Sequence, residues 1–276
     1  MEAMTMFDFL ASSLIQNVLL LGILLAVSAA LLSPFLVLNQ QSMIADGLSH
    51  VSFTGIIFGV LLFSQPLYFA IPFAVLASFA ITFLGEQKMM HHDAAIGVVS
   101  AFSLAVGLIV VSLSDGFNRS IESLLVGMIT ASTRYDVYTA LVLLVAVLIF
   151  VLLFYRPLLS SAYDLTHAKV TGVKHKLLKY ALSSLSAVFI VIGVRTVGML
   201  LISAYLIFPA LIASQYAKSF KSTLIISALS VIGLVFIAIW LSYVIDIPTG
   251  STIVVVYTFV LLISILIRKV FKGESI

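Results

Sequence analysis

Residues Met43–Phe63 read MIADGLSHVSFTGIIFGVLLF, an almost unbroken apolar run that carries two ionisable groups, Asp46 and His50. A helix needs about 20 consecutive apolar residues to cross the roughly 30 Å hydrocarbon core of a bilayer, and this run has that length. Backbone groups in hydrocarbon must be hydrogen-bonded within the protein, so the run reads as a transmembrane α-helix. Asp46 and His50, four residues apart, fall on one face of it.

Outward in both directions the chain repeats the pattern. Leu14–Leu32 precedes this run, and Leu67–Leu84, Ala95–Leu113, Val137–Phe154, Tyr180–Ile192, Val197–Ile212, Leu224–Ile245 and Thr252–Ile267 follow it. The chain is expected to be an all-α polytopic membrane protein with about nine transmembrane helices. Gly193 and Gly198 flank a turn of only a few residues around Arg195, and a merged or broken pair there would leave eight. Composition agrees: of 276 residues, 62% are hydrophobic and 9% charged, and mean hydropathy is +1.26, whereas soluble domains are about 45–50% apolar. No polar stretch is large enough for a soluble domain, so residues 1–276 read as one transmembrane domain.

Lys and Arg accumulate in short cytoplasmic loops. With the N-terminus outside, Lys88, Arg156, Lys169, Lys174, Lys176, Lys179, Lys218, Lys221, Arg268, Lys269 and Lys272 lie inside, and only Arg119, Arg134 and Arg195 remain outside. The expected orientation is N-out, C-in. Met1–Leu10 holds Glu2 and Asp8 but no basic residue, unlike the start of a secretory signal, so it is expected to stay in the mature protein. Two connections exceed a turn. Ser114–Asp136 encloses the mostly apolar Ile121–Thr130, expected to be a re-entrant or interfacial helix, and the basic 156–179 segment is expected to place a short helix, Tyr163–Val170, along the inner face.

Cysteine is absent, which removes disulfides, thiolate ligands and cysteine nucleophiles. Ionisable groups within spans are costly and face a protein interior or a watery path. Imidazole and carboxylate bind zinc or manganese without sulfur, so Asp46 and His50 are candidate metal ligands. The competing reading is structural: the pair bonds to itself or to Ser42, Ser49 and Ser52, holding helices together. His91, His92 and Asp93 form a second cluster on the inner side. Asp93 is expected to be the N-cap of a helix beginning near Ala94, with the histidines either a cytoplasmic exit station for metal or merely solvated. His167 and His175 read as surface residues. Gly55 and Gly59 have the small-xxx-small spacing of close helix approach, and Pro209 is expected to kink its helix or to break it at a site. No G-x-x-x-x-G-K-[ST], H-E-x-x-H or G-x-S-x-G motif is present, which leaves ATP hydrolysis and intramembrane hydrolysis without their usual parts. The basic residues do not lie on an aromatic-rich face, so nucleic acid is not an expected partner.

The segment Ser42–Val51, SMIADGLSHV, resembles the second-span pattern of the permease subunits of bacterial ABC importers for zinc and manganese. Asp93–Gly97 is similar to the start of that family's fourth span, Val197–Ala210 to its late span ending in Pro-Ala, and Ala162–Val173 to its ATPase-docking stretch. The late span departs from the family at Leu211 and Ile212, where small residues are usual. The resemblance implies a dimeric permease of the vitamin B12/metal-chelate importer type in a bacterial cytoplasmic membrane. Its implied partners are a second copy of the chain, two cytoplasmic ATPase subunits and an extracytoplasmic metal-binding protein. It implies that Asp46 and His50 meet the transported ion, with zinc favoured over manganese and no tightly bound cofactor. Tyr163, Asp164, Leu165, Ala168 and Gly172 would then belong to the ATPase-coupling segment. Such a chain is not itself an enzyme. The main rival is a proton-coupled secondary metal transporter, which would move metal without partners. An intramembrane metalloenzyme would need a third ligand and a base.

Overall fold

The computed structural model describes residues 13–62, 66–86, 90–114 and 132–272, which are helical apart from turns and short connections. The helices are α1 (Ser13–Leu38), α2 (Ile44–Leu62), α3 (Pro66–Glu86), α4 (His92–Ser112), α5 (Arg134–Tyr163), α6 (Leu165–Val170), α7 (His175–Val197), α8 (Met199–Ser214), α9 (Phe220–Ile245) and α10 (Thr249–Lys272). Eight of these are long and apolar enough to cross a membrane, and α8 is a shorter apolar helix. The expected helix at Ile121–Thr130 falls outside the described residues, as do Met1–Leu10 and Lys88.

Helix ends are set by capping chemistry rather than by hydropathy. Thr133 and Asp136 form a capping box that opens α5, with the Thr133 amide donating to Asp136 Oδ2 at 2.9 Å. From there α5 continues past the apolar run to Tyr163. Asp164 ends it and caps α6, its Oδ1 accepting from the amides of Thr166 and His167 at 2.9 Å each. Ser219 caps α9 by accepting from the Ser222 amide at 3.2 Å. Asp93 is not a cap, contrary to expectation. α4 begins one residue before it, with His91 in the N-cap position, and Asp93 lies in the first turn, where a carboxylate complements the helix dipole.

The pair around Arg195 stays as two helices, joined through Gly198 at φ +91°, a conformation glycine adopts without a steric penalty. A Cβ on Gly193 would intrude on the Ile202 side chain. Residues nine apart in a continuous helix would be about 13 Å apart, so the chain reverses at Gly198 and α8 folds back beside α7. Ion pairs and ring contacts then sort the helix ends. At one end Arg195 Nη2 of α7 lies 3.6 Å from Asp136 Oδ1 of α5. At the other, Arg268 Nη1 of α10 donates to Gln215 Oε1 after α8 at 3.4 Å, and Phe220 of α9 meets Phe35 of α1 with ring centroids 4.8 Å apart. α8 therefore runs from the Arg195 end to the basic end. Its sixteen residues span about 24 Å.

Pro209 lies inside α8, and the backbone around it is repaired by neighbours. The Ala210 amide donates to Ser33 Oγ of α1 at 3.3 Å, and Ser227 Oγ of α9 donates to the Pro209 carbonyl at 3.0 Å. Such repair is how a membrane helix tolerates proline. α2 forms the centre, packed against α3, α4, α7 and α8, while α1 packs against α5, α8 and α9.

Candidate metal path and coupling surface

Small residues bring neighbours hard against α2. A Cβ on Gly55 would come within 2.9 Å of Ala70 Cα on α3, and one on Gly59 would meet the Pro66 backbone, so the expected close approach is real. On another side, a Cβ on Gly47 would run into Ile96 of α4, and Thr54 Oγ1 donates to the Ser103 carbonyl of α4 at 2.6 Å. The consequence is a single opening along the first four turns of α2. From Ile44 to Ile57 every residue is buried except Asp46, which is exposed, and His50, which is partly exposed.

Of the three serines in the structural alternative for this pair, Ser49 and Ser52 are already committed. Ser49 Oγ and Ser52 Oγ donate to the Ala45 and Leu48 carbonyls of their own helix, at 2.6 Å each. His50 Nδ1 is buried and has no hydrogen-bond partner among the described residues. Asp46 sits in the first turn of α2, where the helix dipole favours its carboxylate. Just before the helix, Gln41 is buried at 1% exposure while Met43 is 50% exposed. Among the described residues no three His, Asp or Glu side chains gather as a metal site, and the pair offers two donors from one chain.

The inner cluster is organised differently from its sequence neighbours. His92 Nε2 lies 3.0 Å from Lys179 Nζ, and Lys179 also lies 3.9 Å from Glu86 Oε1, tying α3, α4 and α7 together. A Cβ on Gly85 would clash with the His92 ring, so the imidazole is wedged against α3. His91 and Asp93 are exposed. At the outer end the Asp136–Arg195 pair clamps α5 to α7. Neither clamp was found from sequence. Thr133-x-x-Asp136 carried a readable capping signal, but Lys179 and Arg195 gave no sign of their distant partners.

The short inner helix forms over Leu165–Val170 rather than Tyr163–Val170, because Tyr163 ends α5 and Asp164 caps the new helix. Ala168 is its single buried residue, while Tyr163, Leu165 and Val170 are exposed at 67%, 47% and 84%. It ends in a Schellman motif: the Val173 amide donates to the Ala168 carbonyl at 2.9 Å and the Gly172 amide to the Lys169 carbonyl at 3.2 Å, with Gly172 at φ +76°. His167 is exposed, as expected of a surface residue. Next to the helix lies a groove of about 480 Å³ lined by Lys169, Lys174, His175, Lys176 and Leu177 among others.

A bundle of membrane-crossing helices, with a carboxylate and an imidazole at the opening along the first four turns of its central helix and a capped helix at its basic end, defines a multi-pass permease. The chain belongs to the ABC 3 transport family, whose sequence profile matches residues 11–268, and it is a multi-pass protein of the bacterial inner membrane. It is 31% identical over 258 residues to the manganese import system permease protein ScaB of Streptococcus parasanguinis, covering 92% of this chain and 90% of that one. It is 27% identical over 251 residues to the manganese transport system membrane protein MntC of Halalkalibacterium halodurans, covering 91% and 86%. Among solved structures it resembles PsaBC from Streptococcus pneumoniae in complex with a Fab, with TM-score 0.83, 28% identity, and 94% and 93% of the two chains covered.

Proposed function

We propose that this permease is the membrane subunit of an ATP-driven importer that carries a divalent transition metal into the cytoplasm, with Asp46 and His50 of two copies facing one shared path. The observation that carries the reading is that between Ile44 and Ile57 of α2 these two side chains alone reach the surface, with His50 Nδ1 lacking a hydrogen-bond partner among the described residues. Two donors from one chain are too few to hold a metal closed, and a second copy would double them. Carboxylate and imidazole suit manganese as well as zinc. The relatives above are named for manganese, so manganese is the proposed cargo, and the preference for zinc drawn from overall resemblance finds no support in them.

ATP hydrolysis falls to partner subunits. Residues 156–179 are the proposed coupling segment, because exposed apolar side chains at a span's inner end and on a helix outside the spans form a protein-docking surface: Tyr163 at the end of α5, and Leu165 and Val170 on α6, beside a basic groove. An extracytoplasmic binding protein would deliver the ion. His91, His92 and Asp93 keep a proposed role at the inner exit, with His92 tied to Lys179 and His91 and Asp93 open.

The test is manganese accumulation in cells carrying Asp46→Ala or His50→Ala, normalised to permease abundance in the membrane and to its assembly with the ATPase. Uptake should be lost in both at normal abundance. A helix-to-helix hydrogen bond in a membrane is worth only about 0.6–2 kcal/mol, and a purely structural pair would lower abundance while leaving uptake per molecule intact. That second result would remove the metal-path assignment.

A further inference from the structure

Away from the path, α1, α5 and α9 enclose an open groove of about 560 Å³. Its walls include Leu31, Leu148, Leu152, Leu224 and Leu229, and its charged lining residues are Arg156 and Lys221. Both cations are exposed, and neither forms an ion pair or hydrogen bond with another described residue.

The charges stand at one end of the groove. Arg156 lies about 33 Å along α5 from Arg134 at its outer end, and Lys221 about 36 Å along α9 from Ile245 at its outer end. Both therefore reach the inner boundary of a hydrocarbon core about 30 Å thick. From them the groove extends about 12 Å along α5 to Leu148 and a similar distance along α9 to Leu229. One leaflet of the core is about 15 Å deep.

A leaflet-deep apolar slot with two unpaired cations at headgroup level complements one chemical class. We propose that the groove binds an anionic phospholipid of the inner leaflet, with an acyl chain against the leucines and the phosphate between Arg156 and Lys221. Guanidinium binds phosphate through parallel N–H donors and ammonium as a point charge, and basic pockets between helices on the cytoplasmic side suit anionic headgroups. A zwitterionic lipid brings its own cation to the same place and loses part of the attraction. The groove lining includes Tyr155, whose ring lies 6.2 Å from Phe220, itself 6.5 Å from Tyr163 at the end of α5, next to the α6 cap. The bound headgroup would brace that aromatic row.

The test involves no metal and so stands apart from the metal-path reading. The full-length permease, in neutral detergent and again as the complex with its ATPase, is titrated with phosphatidylglycerol or phosphatidylcholine, and bound lipid is counted by native mass spectrometry. Wild type should prefer phosphatidylglycerol by at least about tenfold, since each basic residue near an anionic surface contributes roughly a factor of five. Arg156→Gln should cost about fivefold and Arg156→Gln with Lys221→Gln about thirtyfold. Ala228→Phe, which narrows the slot without changing charge, should also lower binding. Lys269→Gln removes an exposed inner charge elsewhere, on α10, and should leave binding unchanged. Equal affinity for the two lipids in wild type overturns the proposal and needs no variant. So does full binding by the Arg156/Lys221 double variant or by Ala228→Phe, an equal loss in the control, or a complex that binds no lipid because protein covers the groove.

Discussion

Gly172→Val isolates the conformation of the coupling helix from its contacts. α6 has six residues, far below the about 12–15 at which isolated helices become marginally stable in water. Apart from burial of Ala168, what holds it is its two ends: the Asp164 cap and the reversal at Gly172. A Cβ on Gly172 meets nothing within 4 Å, so substitution there disturbs no packing within the chain and acts on α6 through the backbone, held at φ +76°. A left-handed conformation costs an ordinary L-residue about 1–2 kcal/mol, more for a β-branched one, and asparagine much less. Losing about 1–2 kcal/mol lowers the population of the capped helix roughly 5- to 30-fold relative to its frayed form. Manganese-dependent ATP turnover and manganese uptake should be measured on the reconstituted importer, with membrane abundance as the control. Gly172→Val should insert normally and transport poorly per ATP hydrolysed, Gly172→Ala should fall between, and Gly172→Asn should stay near wild type. Equal behaviour of Val and wild type, or an Asn variant as impaired as Val, would falsify the claim that the left-handed turn positions this helix for coupling.

Two further changes probe the frame around the path. Gly55→Ala places a Cβ 2.9 Å from the Ala70 Cα and should cost about 1–3 kcal/mol by overpacking, whereas Gly97→Ala on α4 meets nothing within 4 Å and should be neutral or slightly stabilising; thermal unfolding in detergent, followed by the loss of the monodisperse chromatographic peak, separates them. Asp136→Ala removes both the α5 capping box and the Arg195 partner and should lower stability by about 1–2 kcal/mol, while Arg195→Gln leaves the buried Asp136 carboxylate with its cap hydrogen bonds and a neutral donor nearby and should cost less, about 1 kcal/mol; the same assay should rank them in that order.

The fold was legible because a bilayer imposes a length. Each apolar run in the sequence coincides with a described helix, including the short Val197–Ile212 run that becomes α8. Boundaries were less legible because apolar runs report where hydrocarbon begins, whereas helices stop where their terminal N–H and C=O groups find partners. α5 therefore extends through Arg156 to the Asp164 cap, while α4 starts at His92 rather than after Asp93, with no side-chain cap at His91. The Gly193–Gly198 region left eight or nine spans open, since a glycine pair permits a kink or a reversal equally. The contact of Gly193 with Ile202 shows a reversal into a separate short helix, α8, beside eight helices long enough to cross, and that contact exists only once both helices are packed.

The site residues were legible by type and not by arrangement. Asp46 and His50 stand out because ionisable groups are costly in a membrane, and their spacing of four puts them on one face. That this face is the only opening of α2 between Ile44 and Ile57 depends on Gly47, Gly55 and Gly59 drawing α3 and α4 against the other sides, which no local pattern encodes. The clamps Glu86–Lys179 and Asp136–Arg195 join residues far apart in the chain, so each partner reads alone as a loop charge. On the proposed reading, the same logic explains why the pair looked deficient as a metal site. A resident ion is held by a full set of donors from one fold, and a set that closed would retain the ion it should pass on. Two donors on an open helix face can be completed by a second copy, or by water, and released again when the helices move.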